Sequence, residues 1–466
     1  MGEGFESSRK FTKEATQENR ERSSFQQDDN SQPAHGARAQ KSVLQSENKR
    51  KENSTKQYLQ PFEIVDSKSR EGHGQIGNTE QVPDKDKSPD RDKSQDSENR
   101  PTDALGSSDM KRLYEKNKGL IDTDNDGFIT KSEIEQATAS QLFKGQDAQF
   151  VSVLKGNLEK IQTLSDDEFG FENDGVTSKD IDACNEMVNR ADQTQAEKDL
   201  IGGIDAAFWQ TGQKLKDASH ELFADQENPL NSITFDAVTQ GGIGDCYFVS
   251  ALSSLARNNP QAIKDMIKDN ENGTYTVTFP GDPTHPVTID APTDAEMSLY
   301  ASGNKGIWPS VIEKAYGKYY DQNKTVSQDG VPNGSMLHDG VRILSPSGVD
   351  IDLISYSSSS EIDAKLQQAI KDGQPVTVGI NGNILSLIKS GYDKTEQGLQ
   401  RKHEYSVEDY DPATKTVTIR NPWGRGEPVD ADGKPRDGKD DGVFTMSLDE
   451  FQRTFSDVAY GQKKSS

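Results

Sequence analysis

The sequence predicts an α+β protein. A domain of mixed helices and strands should occupy residues 221–466, preceded by a small all-helical module and a polar tail. Three observations carry this. Residues 1–105 are rich in Ser, Gln, Asn, Lys, Glu and Asp, and their few apolar residues follow no helical or strand period. From 107 to 200 apolar residues recur at helical spacing, as in MKRLYEKNKGLI and AQFVSVLKGNLEKIQTL. From 221 onward, short runs with strand character alternate with helical patterns.

The tail comes first. Only 30% of the 466 residues are hydrophobic, and the mean hydropathy is -0.89. That is too polar for one globule of this length. Residues 83–101 are close to pure charge and serine. Such a segment buries too little apolar surface to offset its chain entropy, so residues 1–105 are expected to be a disordered tail, either a solubilising spacer or a removable or substrate-recruiting arm. The formal net charge of -24 disfavours nucleic acid and acidic membranes and favours a cation such as calcium. The N-terminus lacks the apolar core of a secretory signal, and Glu6 stands where a myristoylation motif needs Ser or Thr. No apolar run reaches 18 residues, so no transmembrane segment is expected. The two cysteines, Cys184 and Cys246, make no disulfide framework. A cytoplasmic monomer is the expectation, although a leaderless export route leaves no mark that this reading would detect.

The module is expected over 106–200. Its first distinctive segment is Asp122-Thr-Asp124-Asn-Asp126-Gly127-Phe128-Ile129-Thr130-Lys-Ser-Glu133. This matches a calcium-binding EF-hand loop. Asp122, Asp124 and Asp126 supply carboxylates at positions 1, 3 and 5, and Gly127 makes the sharp turn. Phe128 offers its carbonyl, Thr130 acts directly or through water, and Glu133 closes the shell as a bidentate ligand. Ile129 is expected on a β-bridge to a partner loop. Residues 171–181 are a degenerate partner, with one residue missing between Gly175 and Val176 and Asp180 as a short final ligand. A structural partner is the favoured reading there. A linker is expected over 201–220.

In the last region, strands are expected at 275–279, 287–289, 376–380, 403–410 and 416–420. Helices are expected at 247–256, 308–320 and 361–371, the last ended by Gly373. The run Gln240-Gly-Gly-Ile-Gly-Asp-Cys246 places a cysteine after a glycine-rich turn and at a helix N-terminus, where the dipole and a nearby imidazolium favour the thiolate. Of six histidines, His403 is distinguished by its surroundings. The segment 403–423 reads as a hairpin about Asp411-Pro412-Ala413, in a register that sets His403 opposite Asn421 and Glu404 opposite Arg420. Tyr405, Val407, Val417 and Ile419 then form a buried face, and Glu404, Ser406, Glu408, Thr416, Thr418 and Arg420 a wet one. An amide beside an imidazole can orient it toward a thiol. The order Cys, His, Asn, with successive members 157 and 18 positions apart, agrees with papain-type cysteine proteases.

These residues carry a closer resemblance. Gln240 to Cys246, His403-Glu-Tyr-Ser-Val407 and Arg420-Asn421-Pro422-Trp423-Gly424 are similar to the three motifs of the calpain protease core, with weaker echoes at Trp308–Tyr316 and near the C-terminus. The resemblance covers roughly 221–462. It implies a two-lobed papain-like domain that hydrolyses peptide bonds in protein or peptide substrates; calcium control is expected to come from the EF-hand, by changing how the helical module docks on the cleft. Cys246 would be the nucleophile, His403 the base and Asn421 its orienting partner. Gln240 would be an oxyanion donor, and Trp423 a shield over the His–Asn bond. Tyr247, Lys402 and Glu404 depart from the family pattern and are expected to alter the cleft wall. Two other readings are an acyltransferase using the same triad, and a calcium-binding interaction protein with an inactive protease fold.

Overall fold

The computed structural model describes residues 105–165, 175–216, 218–323, 338–381 and 394–464. The expected disordered tail lies, but for Leu105, outside the described residues. So do positions 171–174 of the partner loop.

Five helices form the first core: α1 (Met110–Ile121), α2 (Lys131–Thr138), α3 (Gln146–Ile161), α4 (Ser178–Asn189) and α5 (Gln195–Lys216). In α1 the residues Met110, Leu113, Tyr114 and Ile121 share one stripe and are all buried. They meet Phe150, Leu154, Ile204 and Phe208 of α3 and α5. Between α1 and α2, Ile129 forms an antiparallel bridge with Val176, through N···O contacts of 2.8 and 3.0 Å. The bridge joins the two loops as their sequences suggested. Helix α5 corrects the expected linker. Residues 201–216 belong to it, held by buried Ile204, Ala207, Phe208 and Thr211.

The following region begins with α6 (Cys246–Asn258) and α7 (Pro260–Met266). A three-stranded antiparallel sheet follows in the order β1 (Ile267–Asp269), β2 (Thr274–Val277), β3 (Val287–Asp290). Then come α8 (Asp294–Leu299), α9 (Trp308–Asn323) and α10 (Asp339–Ile343). Phe248 and Leu252 of α6 pack with Val277 and Phe279, and with Trp308 and Ile312 of α9, in a second core. The remaining elements are β4 (Val349–Leu353), α11 (Ser359–Lys371), β5 (Val376–Ile380), β6 (His403–Asp411), β7 (Thr416–Arg420), β8 (Val443–Ser447), α12 (Leu448–Thr454) and β9 (Asp457–Gly461). Their strands form an antiparallel sheet ordered β4-β9-β5-β6-β7-β8, which buries a third core against α11 and α12. Gly373, at φ +64°, supplies the left-handed residue after α11. Among the described residues no helix is long and apolar enough to cross a membrane.

The expected strands are present within two residues of their bounds, but β1, β4, β8 and β9 were not foreseen. The expected hairpin register is corrected. Ser406, not Glu404, lies opposite Arg420, and a bulge falls between Val407 and Asp409. The wet face is corrected too. Glu404, Ser406, Glu408 and Arg420 are buried because α6 lies across them. Ser250 donates to the Glu404 carbonyl at 3.0 Å, Ser254 to the Val407 carbonyl at 2.7 Å and Ser253 to Glu408 Oε1 at 2.9 Å. The Arg420 guanidinium reaches the Val238 carbonyl at 2.7 Å. The polar face of the hairpin thus forms the seam between two lobes, where three serines of α6 and the Arg420 guanidinium bond across it.

Candidate active site

Cys246 opens α6 and is partly exposed. The turn before it needs glycine. A Cβ on Gly241 would sit 1.8 Å from the Leu299 carbonyl oxygen. Gly242 N–H donates to that same oxygen at 2.7 Å, and Gln240 N–H to the Pro422 carbonyl at 2.9 Å. The second bond ties the cysteine turn to the Asn421 loop.

The sulfur of Cys246 lies against the backbone N–H of Glu404, the residue after His403. His403 is buried at the start of β6. Its Nε2 is 2.9 Å from Asn421 Oδ1. That oxygen also accepts from Trp423 N–H at 3.1 Å, and Asn421 Nδ2 donates to the Gly426 carbonyl at 3.1 Å. The two outer bonds fix which end of the amide faces the imidazole. An oxygen there requires the proton on Nε2 and leaves Nδ1 as an acceptor. The Trp423 ring lies 4.4 Å from the imidazole, centre to centre, and covers the His–Asn bond. The structure therefore brings Cys246, His403, Asn421, Gln240 and Trp423 together.

Burial governs the protonation of both reactive groups. It pushes the Cys246 thiol up to about 12, against the opposing pull of the Glu404 and Tyr247 N–H groups. It lowers His403 to about 4, although the Asn421 bond favours the imidazolium. Both shifts act against the thiolate–imidazolium form that the helix N-terminus favours. Gln240 Nε2 donates to the Ile243 carbonyl at 2.7 Å, so one of its two N–H groups is engaged inside the turn.

Two of the three departures have buried side chains. Tyr247 is buried against Tyr316, and Glu404 is buried beside Asp457, which with burial holds its carboxyl well above the usual range. Lys402 is exposed and adopts φ +53° just before the histidine, a conformation glycine would take without strain.

Two acidic groups could hold a cation. Oxygens of Asp122, Asp124 and Asp126 lie within 4.8 Å of one another, and buried Asp122 Oδ1 has no hydrogen-bond partner. Gly127 takes φ +93° at the turn. Glu133 Oε1 accepts from Thr123 N–H at 2.7 Å, and its Oε2 from Thr130 N–H at 2.9 Å. The loop is therefore closed with its carboxylates converging, and the residues fit a hard cation. Phe128 N–H bonds Asp126 Oδ1 at 2.8 Å, and the Thr130 hydroxyl caps α2. The partner loop repeats the closing pattern. Asp180 accepts from Thr177 N–H at 2.9 Å and from Ser165 N–H at 3.0 Å. Ser165 thus stands where Thr123 stands, and the residue matching Asp122 is Leu164, which has no carboxylate. The loop is longer than the first, not one residue shorter as expected.

The second group is Glu427, Asp437 and Asp441, with Glu427 Oε2 buried and unpartnered. Sequence reasoning missed it. Residues 427–441 hold six acidic side chains without a recognisable ligand spacing, and only the fold selects three.

A family model described as calpain family cysteine protease matches residues 205–462. The chain is 27% identical over 272 residues to calpain-type cysteine protease DEK1 of Arabidopsis thaliana, covering 51% of this chain and 12% of that protein. It is 25% identical over 270 residues to calpain-9 of Mus musculus, covering 51% and 38%. With the calpain-2 catalytic subunit of Rattus norvegicus the identity is 24% over 273 residues, covering 51% and 37%. The matched stretch spans well under half of each relative. Since the family model covers more than half of its length, the chain belongs to the calpain family of cysteine proteases.

Proposed function

We propose that this chain is a calcium-modulated cysteine endopeptidase in which Cys246, His403 and Asn421 act as a triad. The observation that carries the reading is the double anchoring of the Asn421 amide. It leaves His403 Nδ1 as the basic nitrogen on the side away from Asn421. The proton passes from Sγ to Nδ1, and the sulfur attacks the substrate carbonyl. The imidazolium then protonates the leaving amine, giving an acyl-enzyme and a free amino terminus. Water, deprotonated by the same nitrogen, attacks the thioester and releases the carboxylate and the thiol. The Cys246 backbone N–H and the second N–H of Gln240 Nε2 are the oxyanion donors. Trp423 keeps water from the His–Asn bond.

The helical region acts as an EF-hand module. Asp122, Asp124, Asp126, Phe128, Thr130 and Glu133 would hold calcium, which supplies a charge that draws the loop carboxylates together. Leu164 in place of a first acidic ligand makes the partner loop a structural one. Substrates are proteins or peptides.

Labelling with an epoxysuccinyl cysteine-protease inhibitor, mapped by peptide mass spectrometry with calcium and with EDTA, checks the assignment. Modification is expected at Cys246 and not at buried Cys184, and His403→Ala should suppress it at least about tenfold. An unmodified Cys246 in both conditions would overturn the reading.

A further inference from the structure

Lys214 lies in the last turn of α5, on the helical module, yet its ammonium belongs to the cysteine turn. Its Nζ donates to the Tyr300 carbonyl at 2.7 Å. The carboxyls of Glu313, on α9, and Asp245, the residue before Cys246, act on it electrostatically. These two carboxyls lie within hydrogen-bond reach of each other. Asp245 Oδ1 and Oδ2 and Glu313 Oε1 are buried, and the Gln240 side-chain amide also acts on Asp245. One ammonium facing two buried carboxyls is neutral only if the pair shares one proton. Accordingly, burial raises Asp245 to about 7 and Glu313 above its usual range, and lowers Lys214 to about 8.

Three consecutive residues link this cluster to the nucleophile. The Leu299 carbonyl accepts from Gly242, the Tyr300 carbonyl from Lys214, and Ala301 N–H donates to Glu313 Oε2 at 2.6 Å. The module also grips α8, the helix that leads into this strap. Ser152 donates to the Ala295 carbonyl at 3.0 Å, Ser298 to Ser152 Oγ at 2.6 Å, and Thr293 to the Thr138 carbonyl at 2.6 Å.

We propose that Lys214 is a positioning residue for Cys246, supplied by the module. It balances the Asp245–Glu313 pair and pins the 299–301 strap on which the glycine turn rests. The helical module is then a built part of the catalytic centre. The proposal rests on the reading of Cys246 as the nucleophile.

The test uses the full chain and the variants Lys214→Met, Lys214→Arg and Lys214→Met/Glu313→Gln. Two readouts are taken: kcat and KM on a peptide, and the rate of Cys246 alkylation by iodoacetamide. Lys214→Met should lower kcat about tenfold or more with KM within about twofold, since the loss falls on the geometry of attack. It should also change the alkylation rate, and Lys214→Arg should restore both. The double variant leaves Asp245 as the single buried carboxyl of the pair, neutral once it takes a proton, and covers the case in which Lys214→Met does not fold. It should melt near the wild type yet keep the low kcat, because the strap is unpinned. Wild-type kcat and alkylation in Lys214→Met, full kcat in the double variant, or equal damage in Lys214→Arg would each overturn the proposal. If the wild-type chain hydrolyses no peptide but alkylation still follows Lys214, the protease reading fails and the positioning role stands.

Discussion

Asn421 shows how a single amide can fix the state of a neighbouring ring. With Nδ2 spent on the Gly426 carbonyl and Oδ1 on Trp423 N–H, it offers the imidazole only an acceptor. The His–Asn pair was legible in the sequence through the hairpin pattern, although the register that suggested it was displaced by two residues. The protonation of the two reactive groups was not legible, because it follows from burial. A pH prediction belongs here. His403 has an ordinary value of 6.5 and is lowered by burial to about 4 in the fold. Between those values the unfolded chain binds the extra proton and the folded one does not. Its contribution is therefore complete above about 6.5 and declines as the pH falls toward 4, by on the order of 3 kcal/mol. Urea melts across this range should show the wild type losing stability relative to His403→Gln as the pH drops. Parallel profiles would contradict the buried, neutral imidazole.

At the scale of elements, period and caps placed α1, α6, β5 and β7 well, since each carries its own apolar pattern or helix-start signal. Of the edge strands, β1 has three residues with a single apolar one and carries little signal, whereas the alternation of β4 over Val349–Leu353 was legible and passed over. The polar face of β6 misled for a definite reason. Alternation tells two faces apart but does not say what covers the polar one, and here α6 covers it with three serines. The cation loops belong to this scale as well. Glu133 joins the helix start to the loop start, so removing its charge should weaken calcium binding there by about tenfold or more. Titration calorimetry of Glu133→Gln should show one site weakened and the Glu427, Asp437 and Asp441 group unaffected. An isotherm identical to that of the wild type would remove the loop from the account.

The whole molecule, over its described residues, is three cores joined by two polar seams. One seam joins α6 to the hairpin and brings Cys246 beside His403. The other joins the helical module to α8 and the strap, and brings the Lys214 ammonium onto the Tyr300 carbonyl. Sequence motifs marked the two sides of the first seam, because its chemistry needs particular residues at particular spacings. The second seam had no such signature. Serines, a lysine and carbonyls are common everywhere, and only the fold makes them neighbours. The central claim is that Cys246 cleaves peptide bonds by hydrolysis. The most direct measurement incubates a denatured protein substrate with the full chain and with Cys246→Ala, in calcium and in water enriched in oxygen-18, and reads the fragments by mass spectrometry. The account predicts internal fragments whose new carboxyl termini carry solvent oxygen with the wild type, and none with the variant. Equal cleavage by Cys246→Ala, or acyl groups passed to an acceptor other than water, would contradict it.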